Sequence, residues 1–95
     1  MNGIMKRYVI ERAIPGIGGM NREQLKQASV ASCGALAKLY GKAQWEHSYV
    51  TGDKTFCIYL ADSEATIREH ARLSGFPANM ITEVGTVIDP MTAFA

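Results

Sequence analysis

Apolar and polar residues alternate near the start of the chain, and this period of two predicts a β-strand over residues 6–14. Tyr8, Ile10 and Arg12 fall on one side of the predicted strand. A second segment rich in strand-forming residues, 81–88, is predicted to be the last strand, and an aspartate-proline pair ends it.

The centre of the chain predicts a β-hairpin. Residues 43–50 and 55–61 both alternate, with Trp45, His47 and Tyr49 on one side of the first strand. Thr51-Gly52-Asp53-Lys54 between them consists of turn-forming residues. A turn with two central residues places His47 opposite Ile58, whereas one extra loop residue exchanges the two faces of the strand. The sequence leaves both registers open.

Two helices are predicted between the strands. The first begins with a capping box at Asn21 and runs to about Leu39 or Tyr40, with small and apolar residues on one face. The second begins after Ser63 and is closed by Gly75. The order β-α-β-β-α-β predicts a ferredoxin-like α+β fold, in which two helices cover one face of a four-stranded antiparallel sheet.

These elements make a single domain over residues 6–90, with an N-terminal extension at 1–5 and a C-terminal tail at 91–95. A fifth short strand in the tail is an alternative. The glycine-rich stretch Pro15–Gly19 is interpreted as a loop with positive φ angles. Its glycine spacing matches neither nucleotide-binding fingerprint, so a phosphate site is not expected there.

Such a sheet leaves its second face uncovered. Tyrosine, tryptophan, cysteine and methionine are too frequent in these strands for a face in contact with water. We therefore expect a homodimer in which a second copy of the chain covers the open face of the sheet.

The composition of the 95 residues excludes several classes of protein. Ten Lys and Arg against nine Asp and Glu leave a net charge of +1, so nucleic acids and anionic membranes are not expected partners. Two cysteines are too few for a disulfide-rich secreted scaffold. The first residues do not resemble an export signal and no apolar run could span a membrane, so a cytoplasmic location is expected.

Few side chains are available for catalysis. Cys57 with His47 or His70 is the one pair of nucleophile and base worth considering, and no catalytic triad can be assembled. The sequence therefore leans towards a protein that is not an enzyme. Metal binding is better supported than side-chain catalysis, because imidazole suits nickel, zinc and copper.

Four segments together resemble a known family: YVIER at 8–12, HSYVTGDKTFCIYLA at 47–61, IREHA at 67–71 and GFPA at 75–78. They are similar to small bacterial ferredoxin-like proteins that are grouped as a domain of unknown function and described as nickel-binding. The resemblance covers residues 6–90. It implies a homodimer that binds divalent nickel at its surface, and it implies no established enzymatic activity.

The resemblance and the donor chemistry together suggest candidate nickel ligands, first the two imidazoles and then three further donors: His47, His70, Asp53, Glu69 and Cys57. The alternative is a small dimeric enzyme of the cofactor-free oxygenase or isomerase type, or a small-molecule binder, with a pocket around His47, Cys57 and Tyr59. Further residues of that pocket would be Tyr8, Glu11, Trp45, Tyr49 and Phe76. A closed cavity in which His47 and Glu11 converge favours the enzyme, and exposed histidines without a cavity favour metal binding.

Overall fold

The computed structural model describes residues 4–94, so residues 1–3 of the predicted extension and Ala95 of the predicted tail lie outside the described residues. The strands are β1 (Lys6–Ala13), β2 (Ala43–Val50), β3 (Lys54–Ala61) and β4 (Met80–Glu83), and the helices are α1 (Arg22–Ala37) and α2 (Glu64–Ser74). The strand order is β2-β3-β1-β4 and all neighbouring strands are antiparallel. The predicted ferredoxin-like α+β fold is confirmed.

Side chains alternate between two faces of the sheet. The helix-covered face carries the buried residues of β1 and β3, which are Tyr8, Ile10, Arg12, Thr55, Cys57, Tyr59 and Ala61. The open face carries Val9, Phe56, Ile58 and Leu60, which are only partly buried. The core therefore lies between the sheet and the helices, where Ile67 of α2 packs with Ile10 and Tyr59.

Both helices begin at the predicted caps. The backbone N–H of Gln24 donates to Asn21 Oδ1 and the N–H of Asn21 donates to Gln24 Oε1, each at 2.9 Å, which completes the capping box of α1. Ser63 Oγ accepts from the N–H of Thr66 at the start of α2, and Gly75 ends that helix with φ 80°.

Helix α1 is shorter than predicted. It ends at Ala37, because Tyr40 and Gly41 adopt left-handed conformations with φ of 53° and 83° and turn the chain towards β2. The residues that face the sheet are nevertheless those of the predicted apolar stripe, with Ser32, Ala35 and Leu39 buried.

The last strand is also shorter than predicted, since β4 ends at Glu83 and not at residue 88. The N–H of Val84 still donates to Arg7 O at 2.8 Å, but β1 begins one residue before Arg7 and offers little backbone beyond it. Residues Pro90–Phe94 form a short 3₁₀ helix in place of a fifth strand. No helix within residues 4–94 has the length and apolar character needed to cross a bilayer.

The hairpin between β2 and β3 has the shorter of the two turns considered. The N–H and the hydroxyl of Thr51 both donate to Lys54 O, at 2.9 and 2.7 Å. His47 consequently lies opposite Ile58, and its side chain belongs to the open face.

The alternation of β2 is interrupted at Glu46. Trp45 pairs with Tyr59 and His47 pairs with the next residue of β3, Ile58, so Glu46 is an extra residue that forms a β-bulge. Trp45 therefore lies on the helix-covered face and stacks against Tyr59, with 6.4 Å between the ring centroids. The simple alternation predicted for β2, with Trp45 and His47 on one side, is wrong because of this bulge.

Candidate functional site

The five predicted nickel ligands lie in different parts of the subunit. Cys57 and His70 are buried under the helices, whereas His47 is exposed on the open face, Asp53 is in the hairpin turn and Glu69 is on the outer side of α2. Within residues 4–94, no three His, Cys, Asp or Glu side chains are grouped so that they could hold a metal ion. One subunit by itself therefore does not fit a complete nickel site.

His70 is a core residue with no exposed surface. Its Nε2 lies 3.2 Å from the backbone oxygen of Ser32, and because a carbonyl only accepts, Nε2 carries the proton. The same nitrogen is 3.3 Å from Ser32 Oγ, which also contacts the hydroxyl of Tyr59 at 3.0 Å. Burial lowers the pKa of His70, so the ring is neutral near pH 7.

Asp53 fastens the glycine-rich loop to the hairpin turn. Its Oδ1 accepts from the N–H of Gly16 at 2.9 Å, and its backbone oxygen accepts from the N–H of Ile14 at 3.0 Å. Gly18 donates to Gly52 O at 3.0 Å, and a Cβ at Gly18 would lie 2.6 Å from Thr51 O. The loop is thus held by close backbone contacts. Gly16, with φ 79°, has the predicted positive φ, but Gly18 and Gly19 do not, because Ile17–Gly19 form a short 3₁₀ helix.

Two further predicted ligands already have partners. Glu69 accepts from Arg72 Nε at 2.8 Å, and this bond is the main cause of the lowered pKa of Glu69. Cys57 is buried, and its Sγ lies 3.3 Å from Thr55 Oγ1. Both side chains therefore contribute to local structure in the single subunit.

His47 has a different setting, because it is exposed and has polar groups among its neighbours. Its Nε2 lies 3.1 Å from the hydroxyl of Tyr49. The neighbouring Glu46 accepts two hydrogen bonds from Arg7, at 2.7 and 3.1 Å. These bonds lower the pKa of Glu46, and the nearby imidazole of His47 contributes a smaller effect in the same direction. The open face thus presents an imidazole beside a carboxylate.

A cavity of about 230 Å³ lies on the other side of the sheet, between α1 and the helix-covered face. It is lined by four residues of the predicted pocket, Trp45, Cys57, Tyr59 and Phe76. Of the other predicted pocket residues, Tyr8 lies in the core, whereas Glu11, His47 and Tyr49 are on the open face. The structure therefore contains a cavity, and His47 and Glu11 do not converge in it.

Arg12 is a residue of this cavity that sequence reasoning did not select. Its side chain is only 2% exposed, and its Nη1 donates to Pro77 O at 2.8 Å. The guanidinium carbon lies 5.8 Å from the ring centroid of Tyr59. The available signal was the position of Arg12 on the same side of β1 as Tyr8 and Ile10, which places a charge on an otherwise apolar stripe.

The fold and the motifs agree with a comparison against known families. The profile described as "Nickel responsive protein SCO4226-like" matches residues 8–84. The chain belongs to the SCO4226-like family of nickel responsive proteins. This confirms the resemblance to a small bacterial family that the four sequence segments indicated.

The SCO4226-like fold is also found in a solved structure. The crystal structure of SCO4226 from Streptomyces coelicolor A3(2) superposes with a TM-score of 0.69 and 22% identity, over 86% of this chain and 99% of that chain. At this level of identity the likeness establishes the shared fold. A search of curated proteins finds no significant match.

Proposed function

We propose that this SCO4226-like protein is a cytoplasmic homodimer that binds divalent nickel at the open face of its sheet, with His47 as a ligand, and so sequesters or senses the metal. Membership of a family of nickel responsive proteins supports the choice of metal. The observation that carries the proposal is the position of His47, an exposed imidazole beside Glu46 on a face that no helix covers.

Chemistry explains why a second copy is needed. Nickel prefers nitrogen and oxygen ligands in a tetragonal arrangement, and a single imidazole does not supply them. In a two-fold dimer the same patch of both subunits meets at the axis, so each ligand is present twice. Two His47 rings would then meet in a shared site, and the neighbouring Glu46 carboxylates would complete it by exchanging their hydrogen bonds from Arg7 for the metal.

The open face also has the character of an interface. Val9, Phe56, Ile58 and Leu60 form an apolar patch that is only partly buried in one subunit, and the side chain of Tyr49 is 59% exposed. Apolar patches rimmed by paired charges are typical of protein–protein contacts. Here the rim consists of the ion pairs Arg7–Glu46 and Lys54–Glu11.

Calorimetric titration of metal-free protein with nickel chloride tests the metal site. We expect binding tighter than ~1 mM and at least a tenfold loss of affinity in His47→Ala. Gln44→Ala, at an exposed position on the same strand and face, is the matched control and is expected to keep the affinity. Acidification should weaken binding, because protons compete with the metal for imidazole. Unchanged affinity in His47→Ala would contradict the proposed ligand.

Light scattering tests the dimer separately. Ile58 lies in the centre of the apolar patch and opposite His47, so Ile58→Glu is expected to give a folded monomer with weakened nickel binding. A protein that stays dimeric after this substitution would show that the open face is not the interface. A folded monomer that binds nickel as tightly as the unaltered protein would show that one subunit is enough.

The enzyme alternative receives less support from the geometry. It needs His47 and Glu11 inside the cavity, but both lie on the opposite face, where Lys54 Nζ is 3.5 Å from Glu11 Oε1. Neither residue can act as a base on a molecule bound beside Cys57 and Tyr59.

A further inference from the structure

The cavity under α1 has the form of a site for a small ligand. Its volume of about 230 Å³ is below the ~300–1,000 Å³ that is usual for sites of drug-sized molecules. Ile14, Leu25 and Phe76 at its wall are partly exposed, so the cavity is accessible from solvent. It lies on the opposite face of the sheet from His47, and its occupation does not depend on the proposed nickel site.

Arg12 places an uncompensated charge at this cavity. Its Nη2 is buried and has no hydrogen-bond partner among residues 4–94, and none of their carboxylates lies within 4.0 Å of its guanidinium. A guanidinium stays charged in proteins, and burying a charge without a counter-ion is costly. The bond to Pro77 O and the ring of Tyr59 offset only part of that cost.

Other arginines show what a paired arrangement looks like in this protein. Three arginines at the surface each donate to a glutamate, in the pairs Arg7–Glu46, Arg68–Glu64 and Arg72–Glu69. The exposed Arg22 forms no ion pair within residues 4–94, but water stabilises its charge, whereas the buried Arg12 has neither a carboxylate partner nor contact with bulk water. This distribution indicates that the counter-ion of Arg12 comes from outside the chain.

The other residues that line the cavity indicate the chemistry of the ligand. Trp45 and Phe76 provide aromatic surface, and the hydroxyls of Tyr59 and Ser32, 3.0 Å apart, provide polar groups. We propose that the cavity binds a small organic carboxylate, whose charged group pairs with Arg12 and whose apolar part packs against Trp45 and Phe76. Arginine suits this task because its planar fork matches the two oxygens of a carboxylate.

Fluorescence of Trp45 gives a direct test, because it is the single tryptophan of the chain and it lines the cavity. The probes are hexanoate, the uncharged hexan-1-ol of the same length, and inorganic phosphate, which has charge without an apolar part. We expect a saturable change with hexanoate, and at least tenfold weaker binding of the alcohol and of phosphate. Equal binding of the alcohol would overturn the role of the charge, and equal binding of phosphate would overturn the role of the apolar part.

Substitutions locate the binding. Arg12→Met keeps the apolar stem and removes the charge, and it should lower hexanoate affinity at least tenfold. Arg7→Met, on the same strand but on the open face, is the matched control and should leave hexanoate affinity unchanged. An Arg12→Met protein that binds hexanoate as tightly as the unaltered protein would overturn the proposal.

A second variant keeps the test valid if Arg12→Met does not fold. Ala28 on α1 lines the cavity, so Ala28→Phe fills it and leaves the charge in place. Hexanoate binding should be abolished in this variant. Binding that survives in Ala28→Phe, or the absence of any saturable signal up to about 10 mM hexanoate in the unaltered protein, would overturn the proposal.

Discussion

The two faces of the sheet differ in how apolar residues are buried and in how charged residues are paired. On the helix-covered face apolar residues such as Ile10 are fully buried, yet Arg12 is buried without a counter-ion. On the open face charged residues are paired, as in Arg7–Glu46, yet apolar residues such as Ile58 are left partly exposed. Stability therefore resides mainly on the covered face. Each face has one unfavourable feature: an unpaired charge is buried on the covered face, and an apolar patch is exposed on the open face. We expect other molecules to bind at these two places.

The largest expected effect is a difference in stability between substitutions at two adjacent residues of β1. Ile10 has no exposed surface on the covered face, so Ile10→Ala should lower the free energy of unfolding by about 2–5 kcal/mol. Val9 lies on the open face and is only partly buried, so Val9→Ala should cost about 1 kcal/mol or less at low protein concentration. Denaturant unfolding of both variants measures the difference.

Repeating the unfolding measurements at several protein concentrations distinguishes the two positions further. If a second copy covers Val9, the cost of Val9→Ala should grow as the protein is concentrated, while that of Ile10→Ala should not. Similar costs for the two substitutions at high dilution would contradict the assignment of stability to the covered face.

A smaller effect is expected at the loop that closes the cavity end of the covered face. In Gly18→Ala the new Cβ would meet Thr51 O at 2.6 Å, so the loop or the hairpin turn must move, at a cost of about 1–3 kcal/mol. Gly19→Ala is the matched control, because nothing lies within 4 Å of its Cβ position. Thermal unfolding should show a lower Tm for the first variant alone, and equal Tm values would mean that the contact does not constrain the loop.

The smallest expected effect is on the pH dependence of the free energy of unfolding. Because burial lowers the pKa of His70, the unfolded chain takes up a proton more readily than the folded one. Stability should be fully present above about pH 6.5 and fall as the pH drops below it, by at most ~1.4 kcal/mol per pH unit for one group. His70→Gln should make this slope shallower. A slope that does not change in His70→Gln would assign the acid sensitivity to other groups.

Much of the fold could be predicted because it depends on local patterns. The alternation around Ile10 and Cys57, the capping box at Asn21 and the cap at Ser63 each act within a few residues, and the structure keeps all of them. The register of the hairpin followed once its turn was shown to be short.

The candidate sites were harder to predict, because they depend on contacts between distant segments. The bulge at Glu46 is not marked by glycine or by any composition signal, so the separation of Trp45 from His47 could not be anticipated. The lack of a partner for Arg12 is a property of everything packed around it, including Pro77. Donor chemistry alone likewise cannot show that His70 points into the core.

The bulge at Glu46 affects how related sequences should be aligned with this one. One additional residue at Glu46 reverses the side assignment of everything before it in β2, so Trp45 and His47 serve different faces although they are two positions apart. For a relative that lacks this extra residue, an alignment without a gap here would compare cavity residues of one protein with surface residues of the other. The presence or absence of one residue at this position therefore decides whether the residues before it in β2 can be compared face for face with those of this protein.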